Sequence, residues 1–117
     1  MVQTEYLVRQ LTLSDKRGWA LDGNGVLCTF PFALWDAARV AERRGHSSTA
    51  MRIEVEARCG KPVLVHCLYL PSACWMGFTF WGRKPEWVRV ESRDQAVDGA
   101  VARLITAWRG ELQAAAV

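Results

Sequence analysis

The sequence has no long hydrophobic run, and its first five residues lack the basic and apolar regions of a secretory signal peptide. We therefore expect a cytoplasmic protein without a membrane-spanning helix. The sequence also has no Cys-x-x-Cys pair, no Walker loop and no Gly-x-Ser-x-Gly or His-Glu-x-x-His motif. These absences argue against the common metal, nucleotide and hydrolase sites, and we expect neither a cofactor nor a bound metal ion.

A strong excess of one charge is also missing. Fifteen Lys and Arg residues against twelve Asp and Glu residues give a formal net charge of +3, well short of a dedicated nucleic-acid arm. Twelve of the basic residues are arginines and alanine is abundant, a bias that is typical of some bacterial genomes. Because arginine binds phosphate and carboxylate groups bidentately, anion binding stays open.

Histidine is scarce, and the sequence does not place it well for chemistry. His66 and Cys67 are adjacent in a predicted strand, so their side chains point to opposite faces and cannot readily serve one metal ion or one nucleophilic pair. The four cysteines, Cys28, Cys59, Cys67 and Cys74, have no secretory context, so reduced thiols are expected. We predict structural roles for these residues and no catalytic residue.

The sequence does have enough apolar material for one core. It is 117 residues long, 50% hydrophobic and 23% charged, which indicates a single globular domain over residues 1–117. A chain of this mass buries roughly two-thirds of its unfolded surface on folding. A hydrophobic core is therefore possible without disulfides or a metal.

Alternating and helical patterns predict an α+β protein. Strands are expected over residues 6–13, 19–21, 26–30, 51–58, 63–70, 75–81 and 86–91. One helix is expected from Pro31 to Gly45. A second is expected from the capping box of Ser92 and Gln95, with Gly110 as a stop or with residues 113–117 as an extension of the helix. The order β-β-β-α-β-β-β-β-α predicts a single antiparallel sheet of about five to six strands with both helices packed on one face.

Three features of the strands bear on function. In residues 51–58 apolar residues alternate with Arg52 and other charged residues, so one sheet face carries a charged row. Residues 63–70 are apolar on both faces apart from His66, which predicts a central strand. Arg9 interrupts the leucine face of the first strand and is a candidate anion anchor, although an edge arginine that reaches to solvent is the commoner explanation.

The six tryptophans are the most unusual feature of the composition. Trp75, Trp81 and Trp87 are clustered, and the alternation places them on the sheet face that the helices are expected to leave uncovered. Basic residues lie between and beside them. The candidate binding surface consists of Trp75, Trp81, Arg83, Lys84, Trp87 and Arg89.

Three hypotheses follow for this surface. The leading one is a small, non-catalytic bacterial binding protein that forms a homodimer, or binds a protein partner, through it. The second is binding of single-stranded nucleic acid, which the modest charge and the lack of an RNA-recognition motif make less favoured. The third is a small-molecule-binding protein or enzyme with a pocket between the sheet and the helices. No membrane partner is expected.

Overall fold

The computed structural model describes residues 6–56, 62–79 and 84–115, and for residues 56, 62, 63 and 107–115 it describes the backbone alone. Within these residues lie seven strands, two α-helices and a 3₁₀ turn at Pro71–Ala73. The strands are β1 (Tyr6–Leu13), β2 (Trp19–Leu21), β3 (Leu27–Thr29), β4 (Thr49–Glu56), β5 (Pro62–Leu70), β6 (Trp75–Thr79) and β7 (Glu86–Arg89). The helices are α1 (Phe32–Arg43) and α2 (Arg93–Ala115).

The strands form one antiparallel sheet in the order β3-β2-β1-β4-β5-β6-β7. The sequence predicts a central position for β5, and its place between β4 and β6 confirms this. A strand that is apolar on both faces needs cover on both, and elements that pack on a sheet cover its central strands. Among the described strands, β3 and β7 form the two edges, so each pairs with a single neighbour.

The β2–β3 hairpin closes over the Asp-Gly-Asn-Gly sequence, which is typical of a tight turn. The Asp22 carboxylate accepts hydrogen bonds from the N–H of Asn24 at 2.8 Å and of Val26 at 2.9 Å. Gly25 has a φ of +76°, in the left-handed region that favours glycine. The aspartate and the glycine together determine the path of this turn.

Helix α1 begins after Pro31, as predicted, because the first turn does not need the donor that proline lacks. It ends in a Schellman motif. The N–H of Gly45 donates to the carbonyl of Glu42 at 3.0 Å, and the N–H of His46 donates to that of Ala41 at 2.9 Å. Gly45 has a φ of +79°, so its predicted role as the residue that ends the helix is confirmed.

Helix α2 begins at Arg93, directly after the predicted cap. The Oγ of Ser92 accepts a hydrogen bond from the N–H of Gln95 at 3.2 Å, while the side chain of Gln95 accepts one from the N–H of Glu91 at 2.9 Å. The helix passes through Gly110, its predicted end, and continues to Ala115. None of the described helices is long and apolar enough to span a bilayer.

The two faces of the sheet carry separate cores. On the face that we call the α2 face, helix α2 packs against buried strand residues, namely Met51, Ile53, Val55, Val65, Cys67, Tyr69, Met76 and Phe78. On the other face, which we call the α1 face, the buried residues are Leu11, Ala20, Phe30, Leu34, Ala38, Ala50 and Leu68. The α1 face therefore uses small alanine side chains to bring the helix close to the sheet.

These cores confirm the α+β class and the predicted element order, and they correct the placement of the helices. The sheet has seven strands rather than five or six, and one helix lies on each face rather than both on one. Consecutive residues of a strand, such as Ala50 and Met51 or Cys67 and Leu68, belong to different cores because strand side chains alternate. Apart from His66, β5 is apolar on both faces, so a helix is needed on each side of it.

Candidate functional site

The α1 face continues past helix α1 onto β6 and β7. The strand register places Trp75 opposite Arg89 and Gly77 opposite Trp87. Met76, between the two β6 residues, belongs to the core of the α2 face, so the other four residues lie on the α1 face. The tryptophans of these strands therefore share one face with an arginine, as the alternation of the sequence predicts.

The indole ring of Trp87 lies on the backbone of Gly77. A methyl group at Gly77 would come within 2.7–2.8 Å of three ring atoms, Cη2, Cζ3 and Cε3. A strand glycine often marks such a close approach. The ring is held against the sheet on one side and is still 40% exposed.

Four of the six predicted surface residues are described. Trp75 is 40% exposed, as Trp87 is, and Lys84 and Arg89 are exposed. Trp81 and Arg83 lie outside the described residues. We call the four described residues, Trp75, Lys84, Trp87 and Arg89, the aromatic edge surface, because they lie on or beside an edge strand.

A second polar group lies elsewhere on the α1 face. Arg9 of β1 lies opposite Arg52 of β4, which in turn lies opposite His66 of β5. We call these three residues the arginine row. On each strand it lies two residues away from the row that α1 covers, which is Leu11, Ala50 and Leu68. The helix therefore covers the neighbouring row, and the arginine row lies beside its contact with the sheet.

The two arginines share one carboxylate. The Oε1 of Glu54 lies 3.6 Å from the Nε of Arg9 and 3.0 Å from the Nε of Arg52. Both Nε atoms are buried, and neither has a hydrogen-bond partner among the described residues. The Glu54 carboxylate therefore offsets the positive charge of the two arginines, although it is not aligned with the Nε–H of either. Asp22 also lies near, since its pKa is lowered chiefly by the N–H of Val26 and further by the charges of both arginines.

His66 is held as a neutral imidazole. Burial, with a smaller contribution from the charge of Arg52, lowers its pKa from 6.5 to about 4. Its ring meets that of Phe30 edge to face, with ring centroids 5.5 Å apart and an angle of 86° between the planes. At neutral pH the ring offers one N–H donor and one acceptor beside Arg52.

Two of the described cysteines, Cys67 and Cys28, have raised pKa values. Cys67 is buried in the core of the α2 face, and burial raises its pKa to about 12, so it stays a thiol at neutral pH. His66 lies on the opposite face, as the sequence predicts. Burial also raises the pKa of Cys28. Cys59 lies outside the described residues, and in the described part of the chain no cluster of three His, Cys, Asp or Glu side chains is placed to hold a metal ion.

An open groove of about 390 Å³ lies on the α2 face, between the first half of β1 and the first turns of α2. Its lining consists of Tyr6, Val8, Arg93, Asp94, Val97 and Asp98. These residues include no histidine or cysteine. The groove is a recess between sheet and helix of the kind that the third hypothesis requires.

Sequence reasoning identified parts of both groups and missed how they fit together. The sequence indicates Arg9 as a candidate anion anchor and places Arg52 in a charged row, but the direct pairing of these residues depends on the register between β1 and β4. The contact between Gly77 and Trp87 was also missed, although a glycine inside a strand of large apolar residues was a usable signal.

Comparisons of the chain with models of protein families, with curated proteins and with solved structures give no match.

Proposed function

We propose that this chain is a small, non-catalytic binding protein that self-associates as a homodimer through the aromatic edge surface. The observation that carries the proposal is the pair Trp75 and Trp87, each 40% exposed, on the last two strands and on the same face. Tryptophan and arginine are the residues most enriched at the centres of protein interfaces. Arg89 lies directly opposite Trp75.

The exposed indole area suits the centre of a contact of ordinary size. At 40% exposure, each indole leaves on the order of 100 Å² open, so one copy offers about 200 Å² of aromatic surface. Stable interfaces bury about 800 Å² per partner, with an apolar centre and a polar rim. The indoles would form that centre, with Lys84 and Arg89 at the rim.

The position of β7 suggests how two copies meet. Among the described strands it pairs with β6 alone, so its outer edge offers backbone groups to another strand. We propose antiparallel pairing of two β7 strands about a two-fold axis at Val88. This register places Trp87 of one copy opposite Arg89 of the other, on one face, where a guanidinium can stack on the indole.

The described residues support a binding role over catalysis. Cys67 is kept as a thiol by burial, and His66 lies on the other side of the sheet from it. Neither therefore activates the other.

Sedimentation equilibrium tests the proposal. We expect the protein to show a reversible monomer–dimer equilibrium, and the Trp87→Ser and Arg89→Glu variants to remain monomeric at concentrations at which the unaltered chain is a dimer. Val40→Ser is the matched control, because Val40 has a similar exposure, 41%, on the outer side of α1. A chain that is monomeric at high micromolar concentration contradicts the proposal, and so does equal weakening by the control.

Single-stranded nucleic acid is the second candidate for the same surface. It is favoured by one observation, two half-open indoles on a face that also carries Arg89, since bases stack on such rings beside a cation for phosphate. It predicts quenching of tryptophan fluorescence by oligonucleotides that weakens steeply with salt. Quenching that is absent, or that does not depend on salt, counts against it.

A further inference from the structure

We propose that the arginine row is a binding site for a small organic carboxylate, separate from the aromatic edge surface. The observation that supports this proposal is that two neighbouring arginines have more N–H donors than there are acceptors beside them. Arg9 and Arg52 lie directly opposite each other, and among the residues whose side chains are described Glu54 is the single carboxylate within ion-pair distance of either.

Two like charges at directly opposed strand positions repel each other. Each guanidinium has five N–H donors, whereas the carboxylate of Glu54 offers two oxygens. The Nε atoms of Arg9 and Arg52 are buried and have no hydrogen-bond partner in the described part of the chain. A bound carboxylate would add an acceptor between the two cations, and a small rotation of either guanidinium would bring its Nε–H into use.

The site is accessible to a ligand. The side chains of Arg9 and Arg52 are 36% and 19% exposed, so the outer edges of the guanidinium groups reach solvent while their inner ends are fixed. Beside them, the neutral ring of His66 presents a further donor or acceptor. This arrangement is typical of a preformed polar site with few, fixed contacts.

The surrounding charges favour a carboxylate over a phosphate. Glu54 contacts both arginines, and Asp22 lies near enough to feel their charges. Because Glu54 and, at a longer distance, Asp22 already offset part of the charge of the two arginines, the group tolerates one further negative charge better than two. A planar carboxylate also matches the planar fork of a guanidinium in a bidentate contact.

The apolar neighbours point to an organic ligand rather than a simple ion. Leu7 and Leu64 lie on either side of Glu54 in the strand register, on the same face, and are 48% and 38% exposed. An apolar body attached to the carboxylate would cover these leucines. Benzoate is therefore a suitable probe, because it combines one carboxylate with one apolar ring.

NMR of the arginine Nε–H groups tests this site directly. The ¹⁵N–¹H signals of Arg9 and Arg52 are assigned from their loss in the Arg9→Lys and Arg52→Lys variants. We expect sodium benzoate to shift both signals in a saturable way, and sodium chloride at equal ionic strength to leave them unchanged. Sodium phosphate should bind more weakly than benzoate, because it lacks the apolar ring and brings more negative charge beside Glu54.

Two further variants separate binding from folding. Arg44→Lys, at an exposed arginine after α1, is the matched control and should bind benzoate as the unaltered chain does. Glu54→Gln removes the competing carboxylate, and we expect several-fold tighter benzoate binding and a larger rise in melting temperature with benzoate. A change that only loosened the fold would not tighten binding.

Three results would overturn the site: benzoate shifts no larger than those with chloride, equal saturation in the Arg52→Lys variant, or phosphate binding more tightly than benzoate. Sedimentation equilibrium of the Arg52→Lys variant keeps this proposal distinct from self-association. We expect its dimerisation to match that of the unaltered chain, because Arg52 lies on β4, away from the β7 edge.

Discussion

The indole ring of Trp87 rests on the backbone of Gly77, its direct cross-strand partner, and it leaves no space for a side chain there. This contact determines how the aromatic edge surface is presented. The ring is supported by β6 from below and open to solvent above, which is a suitable arrangement for an anchor of an interface.

Replacing Gly77 with alanine should displace this ring. The new methyl group would lie 2.7–2.8 Å from three ring atoms, so the half-exposed indole must swing away from the sheet. We expect a loss of about 1–3 kcal/mol in the free energy of unfolding, together with weaker dimerisation and red-shifted tryptophan emission. Urea denaturation followed by tryptophan fluorescence measures the change in the free energy of unfolding and the red shift of the emission.

Gly99→Ala is the matched control for that change. Gly99 lies in α2, and a methyl group there would meet only Met76 Cε, at 3.7 Å, an ordinary contact. We expect this variant to be more stable by about 0.5–1 kcal/mol, because alanine favours a helix. If Gly77→Ala were as stable as Gly99→Ala, the close contact of ring and backbone would be contradicted.

The hairpin turn gives a second matched pair of glycines. Gly25 has a φ of +76°, whereas Gly23 has no such strained angle, and neither has an atom within 4 Å of an added methyl group. Gly25→Ala should lower the free energy of unfolding by about 1–2 kcal/mol, and Gly23→Ala should change it little. Equal effects in thermal denaturation would show that backbone conformation does not explain the choice of glycine here.

The cap of α2 gives a third prediction. Ser92→Ala removes the acceptor of the Gln95 N–H, at 3.2 Å, and should reduce stability by about 1 kcal/mol. Ser47→Ala, in the exposed loop before β4, is the control and should have no measurable effect. Urea denaturation of both variants checks this, and a Ser92→Ala variant as stable as the control would exclude a stabilising cap.

His66 should make stability depend on pH in a defined window. Its pKa is about 4 in the fold against 6.5 when unfolded, so protons bind first to the unfolded chain. Stability is complete above pH 6.5 and falls as the pH drops towards 4, by up to about 3 kcal/mol in total. The pKa values of Asp22 and Asp36 are lowered from 3.8, so both titrate below this window.

Denaturation between pH 6.5 and about pH 5 tests this assignment. The His66→Gln variant should lose the dependence in this range, and His46→Gln, at the exposed histidine, should keep it. A pH dependence that persists in His66→Gln would assign the effect to another group.

The sequence predicted much of the fold because its local patterns were strong. The turn at Asp22–Gly25, the end of α1 at Gly45 and the start of α2 at Ser92 each depend on interactions within a few residues. The placement of both helices on one face was not correct. The apolar residues on both faces of β5 need cover on each side, and this requirement places one helix on each face.

The candidate site was harder to predict from the sequence, because it depends on contacts between residues that are far apart in the chain. The alternation in β6 and β7 was enough to place Trp75 and Trp87 on one face. The alternation was not enough to predict that Arg9 pairs with Arg52, since a shift of one residue between β1 and β4 would move the side chains to the other face. Register of that kind is decided by the packing of the whole sheet.

The central claim is that Trp75 and Trp87 become buried when two copies meet. ¹⁹F NMR of protein labelled with 5-fluorotryptophan measures this directly, with each signal assigned from a Trp→Phe variant. We predict that the Trp75 and Trp87 signals move with protein concentration and lose contact with a soluble paramagnetic agent, while the Trp19 and Trp35 signals stay constant. Signals of Trp75 and Trp87 that stay fixed and equally accessible at every concentration would contradict the account.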